Sequence, residues 1–391
     1  MKKPMRKTFL VFGKPFIGKA EITEVVKTLK SGWWGTGPKT EQFEKAFALY
    51  TKTKFALGVN SATAGLHLAL KALGVGPGDE VITTPLTFVS TANVILHCGA
   101  TPVFADVARD TWNIDPKEIE KKITKKTKVI LPVHLHGRPC DMDAIMDVAR
   151  RNNLFVVSDA AHAAETVWKG KKAGSIGDIT VFSFYVTKNI ATGEGGMITT
   201  NNKKFAESMR MMSLHGLSQD AYKRYSVRYY RHYEAVMPGY KYNLTDIASS
   251  IGIHQLGRVE ENWVIRKKHW ESYVHAFKKV PEFILPSAEL SNTKHARHLF
   301  AILLRLEKLR ISRDDFVDQL IKMNIGSGVH FNPVHLHEYY RKTFGYKKGM
   351  FPNAEYIGER TVSLPLGANL TQRDRHDVIA AVTWLAREWK K

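Results

Sequence analysis

The chain has 391 residues, is 44% hydrophobic and 24% charged, and carries a formal net charge of +21. That composition supplies ample core for a globular protein, and the length suits two domains or one large domain with a smaller one attached. Only two cysteines occur, Cys98 and Cys140, neither in a CxxC or Cys/His cluster, so a disulfide framework or zinc site is not expected.

The start, MKKPMRKTFLVFGKPF, is basic, but its apolar run over 9–12 is too short for a signal peptide. No stretch of about 18 apolar residues points to a membrane span. A cytoplasmic protein is the expectation. Basic residues are spread along the chain and are densest at 224–231, RYSVRYYR. Such a patch suits nucleic acid, through phosphate contacts and stacking, or an electrostatic funnel for a small anion. The second reading is preferred, because no nucleic-acid motif accompanies the charge.

Short β-rich runs bounded by Gly, Pro, Asn or Asp predict strands over 55–59, 80–84, 102–106, 128–134, 155–159, 179–184 and 196–200. Helical spacing predicts helices over 63–73 and 142–152, the latter capped by Asp141. Strands alternating with helices argue for a mostly parallel seven-stranded sheet covered on both faces, an α/β fold. After residue 244 the pattern changes to helices over 246–261 and 264–279, a strand over 298–306, and helices over 312–323 and 372–388. Pro281, Pro286 and the polar run 287–294 mark a break. The expected division is a large α/β domain over 1–260 and a smaller α+β domain over 261–391.

The chemistry begins at 179–200, ITVFSFYVTKNIATGEGGMITT. Lys188 follows a strand end by a few residues. Partial desolvation there would lower its pKa, and the neutral amine could form an imine with an aldehyde cofactor. A lysine in a loop is more often a solvated charge, so Lys188 needs support. Asp159 gives some, ending the apolar strand in FVVSDAAHAAE (155–165). A buried carboxylate needs a partner, and the protonated nitrogen of a pyridoxal ring would be one; capping a following helix is the alternative. In GVNSATAGLHLAL (58–70) a small-residue turn opens a helix, so free amides and the helix dipole suit a phosphate, with the Ser61 and Thr63 hydroxyls adding donors; a simple helix cap, which needs only one of these residues, is the alternative. Phe88, in the turn TTPLTFVS (83–90), could offer a flat face to a cofactor ring. Together these place a phosphate turn, an aromatic, an acid and a lysine at strand ends of one sheet, where open α/β sheets bind ligands.

Over nearly its whole length the chain resembles the DegT/StrS family of sugar aminotransferases, a branch of the fold-type I pyridoxal-phosphate enzymes. The resemblance rests on SGWWGTGPKTEQFE (31–44), NSATAGLHLAL (60–70), TTPLTFVSTAN (83–93), PVHLHGRPCDMDAI (132–145), DAAHAAE (159–165), SFYVTKNIATGEGGMITT (183–200), PGYKYNLTDIASSIG (238–252), GVHFNPVH (328–335) and SLPLGANLT (363–371). It implies pyridoxal 5'-phosphate as cofactor. Lys188 would be the imine lysine and the acid/base that moves a proton between sugar C4 and the cofactor. Asp159 would pair the ring nitrogen, and His162 would lie near the ring hydroxyl. Ala62, Thr63 and Ser183 would hold the phosphate, and Phe88 would stack on the ring. Asn243 would reach the phosphate of a neighbouring subunit, which implies a homodimer with shared sites. His330 would lie near the sugar nucleotide, as would Tyr185, where many members have His. Cys140 stands where a smaller residue is usual. The implied reaction moves an amino group between L-glutamate/2-oxoglutarate and a nucleotide-linked keto-sugar. Amination at C4 is the first expectation and at C3 the alternative; a non-catalytic regulator or nucleic-acid binder is the reading from another class.

Overall fold

The computed structural model describes residues 3–218 and 234–391, so the basic run 224–231 lies outside the described residues. In chain order the first part comprises α1 (Lys19–Ser31), α2 (Pro38–Thr51), β1 (Phe55–Val59), α3 (Ala62–Ala72), β2 (Glu80–Thr83), α4 (Ser90–His97), β3 (Thr101–Phe104), α5 (Pro116–Glu120) and β4 (Thr127–Leu131). It continues with α6 (Met142–Arg151), β5 (Phe155–Asp159), the short hairpin β6 (Val167–Trp168) and β7 (Lys171–Lys172), then β8 (Ile179–Ser183), β9 (Gly196–Thr200) and α7 (Lys203–Ser213).

All seven expected strands form, and they make one sheet in the order β1-β9-β8-β5-β4-β2-β3. The pairs β2–β3, β2–β4, β4–β5 and β5–β8 are parallel, whereas β9 runs antiparallel to both β1 and β8. Reversal of β9 leaves β1 pointing the same way as β8. The carboxyl ends of β1, β2, β4, β5 and β8 therefore share one edge, and β9 begins there. The central strands are buried on both faces, as near-continuous Val/Ile runs require. One face packs α3 and α7 through Leu66, Leu70, Met209 and Met212; the other packs α6 through Met142, Ile145 and Val148.

Two strands end two or more residues earlier than their patterns predict. β4 stops at Leu131 because Pro132 has no N–H, and the chain then turns through His136 (φ 57°) and Gly137 (φ 93°). β3 stops at Phe104, and the Asp106 carboxylate instead accepts from the Asn353 and Ala354 amides.

The helices expected over 246–261 and 264–279 are Asp246–Gly257 and Val259–Phe277, separated at Arg258. Arg258 leaves helical geometry, and its guanidinium is held by Glu21 and the Phe16 carbonyl. A second sheet joins β10 (Phe283–Ile284), β11 (Phe300–Leu304) and β12 (Thr361–Leu364), all antiparallel. Helices Val259–Phe277, Arg313–Lys322 and Gln372–Glu388 cover it through Tyr273, Phe277, Phe316, Val382 and Leu385. The chain start joins this unit: Arg6 pairs with Asp374 and Asp377, and Leu10 bridges Ile325. Leu86, Phe104, Ala301, Leu303 and Val334 form a core common to both parts. Among the described residues no helix is long and apolar enough to cross a membrane.

Candidate active site

A cavity of about 460 Å³ opens at the shared carboxyl edge of the first sheet. Ser61, Ala62, Thr63, Phe88, Asp159, His162, Ser183, Tyr185, Lys188 and His330 all line it. Nine of the ten residues expected in a site thus converge, together with Ser61. A larger, more open depression of about 730 Å³ beside α2 and β1 lies elsewhere, and its Glu44 and Arg210 are paired with each other.

Lys188 sits in the tight turn after β8, its amide bonded to the Tyr185 carbonyl at 2.8 Å. Burial pushes its ammonium down to about 8, against the attraction of the Asp159 carboxylate. Asp159 ends β5 and is 5% exposed. One carboxylate oxygen accepts from the Thr91 hydroxyl at 2.9 Å and the other from the Ala161 amide at 3.0 Å. Burial still raises its pKa, opposed by those two bonds and by Lys188. No helix follows Asp159, so the capping alternative does not apply; the chain enters turns instead.

The phosphate-type turn takes a form the sequence only partly indicates. The Ser61 hydroxyl is occupied as the N-cap of α3, accepting from the Ala64 amide at 3.1 Å. The Gly65 amide reaches the Ser61 carbonyl, which leaves the amides of Ala62 and Thr63 without intrahelical acceptors, at the positive end of the helix dipole. Gly196 makes this approach to the sheet possible. A Cβ there would lie 2.8 Å from the Ala62 amide nitrogen and from the Phe182 carbonyl oxygen.

Around these groups stand aromatic and imidazole rings. Phe88 is 59% exposed at the cavity mouth, 6.0 Å from the Phe331 ring. His162 is buried, lies roughly parallel to Phe331 at 6.0 Å, and accepts the His136 amide on Nδ1 at 3.2 Å. His330 faces the Ser363 hydroxyl at 2.9 Å, and burial pushes it down to about 3. Tyr185 is exposed at the rim. Asn243 lies outside the cavity of its own chain; it bridges Val59 and donates to the Thr36 hydroxyl at 2.6 Å. Cys140 is buried away from the cavity, its amide donating to His134.

Thr91, Glu194 and Phe331 were not among the residues expected from sequence. The Thr87–Thr91 spacing, one helical turn with hydroxyls 2.9 Å apart, is a local signal for the first. Phe331 reaches the cavity from far along the chain, and its only signal is its place beside His330 in the segment GVHFNPVH.

Residues 15–383 match the DegT/DnrJ/EryC1/StrS aminotransferase family. An uncharacterized protein of Methanocaldococcus jannaschii is 51% identical over 387 residues, covering 98% of this chain and 99% of that protein. The spore coat polysaccharide biosynthesis protein SpsC of Bacillus subtilis is 50% identical over 378 residues, covering 96% and 97%. Among solved structures, Spr1654 of Streptococcus pneumoniae, a candidate sugar aminotransferase, superposes in its PMP form with a TM-score of 0.91 at 36% identity, covering 97% of this chain and 99% of that one. The same protein has also been solved in a PLP form. The chain belongs to the DegT/DnrJ/EryC1/StrS aminotransferase family, whose enzymes use pyridoxal phosphate, and it has the fold of those enzymes.

Proposed function

We propose that this protein transfers an amino group from L-glutamate to C4 of a nucleotide-linked keto-sugar, in a homodimer whose sites are shared. The observation that carries this reading is the convergence of Lys188, Asp159 and the first turn of α3 on one cavity. The donor set fits pyridoxal phosphate. A buried carboxylate with a raised pKa has room for a cationic ring nitrogen, and free amides at a helix N-terminus suit the phosphate. When bound, the cofactor supplies an aldehyde that holds the amine and a ring that takes up electrons.

The chain's own groups do the rest. Lys188 would hold the cofactor through Nζ and, once an incoming amine has displaced that nitrogen, the freed amine would take a proton from one carbon and return it to another. Its lowered pKa keeps a useful neutral fraction near pH 7. Asp159 holds the ring nitrogen protonated, and Thr91 and Ala161 fix the angle of its carboxylate. The amides of Ala62 and Thr63 and the Ser183 hydroxyl bind the phosphate. Phe88 covers the ring, and His162 faces its hydroxyl. Tyr185 meets the sugar nucleotide at the rim and His330 meets it deeper in the cavity. Asn243, turned away from its own cavity, serves the phosphate of a second copy. A net charge of +21 favours capture of a diphosphate and a dicarboxylate.

The sugar acceptor is in keeping with SpsC and Spr1654, whose names refer to polysaccharide biosynthesis and to a sugar aminotransferase. The test is turnover of the holoenzyme with glutamate and a panel of 4-keto and 3-keto sugars on UDP, dTDP and GDP, with the free keto-sugars alongside. The 4-keto nucleotides should react fastest. A preference for 3-keto substrates, or equal kcat/KM for free sugars, would overturn the assignment.

A further inference from the structure

Behind the cavity lies a buried polar chain that none of the roles above uses. Asn189, next to Lys188, donates its amide to Glu165 at 2.8 Å and to the Ala296 carbonyl at 3.2 Å. Its carbonyl oxygen lies 3.0 Å from Nδ1 of His298. Glu165 is fully buried and ion-paired with Arg266, itself buried on the helix Val259–Phe277.

These contacts determine where the protons are. The Glu165 carboxylate and the Ala296 carbonyl can only accept, so Asn189 must turn its NH₂ toward them. Its oxygen then faces His298, which must donate from Nδ1. Burial keeps His298 neutral, with its pKa well below the usual value, so Nε2 carries a bare lone pair. His162 is set the opposite way. Its Nδ1 accepts the His136 amide, so in the neutral ring the proton sits on Nε2. The two rings are 4.5 Å apart.

We propose that Glu165 and Arg266 are positioning residues of the active site: through Asn189 they anchor the lysine turn and fix His298 as the Nδ1–H tautomer, one acceptor ring beside the donor ring of His162. The proposal rests on the reading of Lys188 as the reactive lysine, but the tautomer can be tested without it. Reversing Asn189 would set its oxygen against two acceptors, so the chain has one satisfied direction. A glutamine at 165 would give its oxygen to Arg266 and its NH₂ to Asn189. The contact at position 165 (2.8 Å) is shorter than the one to the Ala296 carbonyl (3.2 Å), so it sets the direction: the Asn189 amide reverses and the His298 proton moves to Nε2.

The experiment is nitrogen NMR of the protein labelled with ¹⁵N-histidine, with the His298 signals assigned by their loss in His298→Gln. The wild type should show His298 protonated on Nδ1. Glu165→Gln should move the proton to Nε2, whereas Arg266→Lys, which keeps a cation on Glu165, should leave it in place. Kinetically, Glu165→Gln should lower kcat about tenfold or more with less than threefold change in pyridoxal-phosphate affinity, and Arg266→Lys should retain most of kcat. An Nε2–H tautomer in the wild type would overturn the proposal even if no variant folds. So would a His298 signal unmoved by Glu165→Gln. If the tautomers are as stated and amino transfer is absent, only the functional reading fails.

Discussion

Replacing Asp159 with Asn separates the reactivity of the lysine from the activity of the enzyme. The change is nearly isosteric: the Ala161 amide can still donate to the remaining oxygen, and the Thr91 hydroxyl can turn to accept from the new NH₂. What is lost is a negative charge that raises the Lys188 pKa against the effect of burial. An opposite charge within a few ångströms is worth about 1–3 pKa units. Lys188, now at about 8, should therefore titrate at about 7 or below. At pH 7 its neutral fraction rises from about one tenth to about half or more. Competitive acylation of the apoprotein across pH 5–10, with the Lys188 peptide quantified by mass spectrometry against exposed Lys45, reads that midpoint. The variant amine should be more reactive at pH 7, while pyridoxal-phosphate affinity and amino transfer both fall, the latter by about 100-fold or more, as expected for loss of a charge stabiliser. A midpoint that stays put or rises would refute the coupling of the two groups.

Gly196→Ala should weaken pyridoxal-phosphate binding at least tenfold and cost about 1–3 kcal/mol of stability, because the new methyl meets the Ala62 amide; equilibrium binding and a denaturant titration check both. Mixing Lys188→Ala with Asn243→Ala chains should restore activity, since each mixed dimer regains one intact site; mixtures as inactive as the parents would rule out shared sites. The buried histidines predict acid lability. His134 and His136 stay neutral down to about 4, pushed down by burial, whereas unfolded histidine takes its proton near 6.5. The unfolded state then binds more protons between those limits, so stability is lost as pH falls through that window, by about 1.4 kcal/mol per pH unit for each such ring. A Tm constant from pH 6.5 to 4.5 would contradict this.

The sheet was legible because its strands are buried on both faces. Runs such as FVVSD and ITVFS are apolar, short and bounded by polar or glycine residues, so position and type followed directly. Lys188 and Asp159 were legible for the same reason, as polar groups placed where such runs end. What tertiary contact decides was not. The helix break at Arg258 depends on Glu21, more than two hundred residues earlier. The order of the Arg6 segment depends on Asp374 and Asp377 at the other end of the chain. Phe331 comes to the cavity from a loop of the second part, marked only by its place beside His330 in GVHFNPVH, and no local pattern marks His298, which lies behind the cavity. The tautomers of His162 and His298 follow only from knowing which neighbour donates.

The central claim is that Lys188 passes nitrogen from glutamate to a keto-sugar nucleotide. Incubating the holoenzyme with ¹⁵N-glutamate and a 4-keto sugar nucleotide, and weighing the product by mass spectrometry, tests it most directly. The expected result is an amino-sugar nucleotide carrying ¹⁵N, together with 2-oxoglutarate, and neither from Lys188→Ala. Labelled product from the alanine variant, or none from the wild type with any 4-keto nucleotide of the panel, would contradict it.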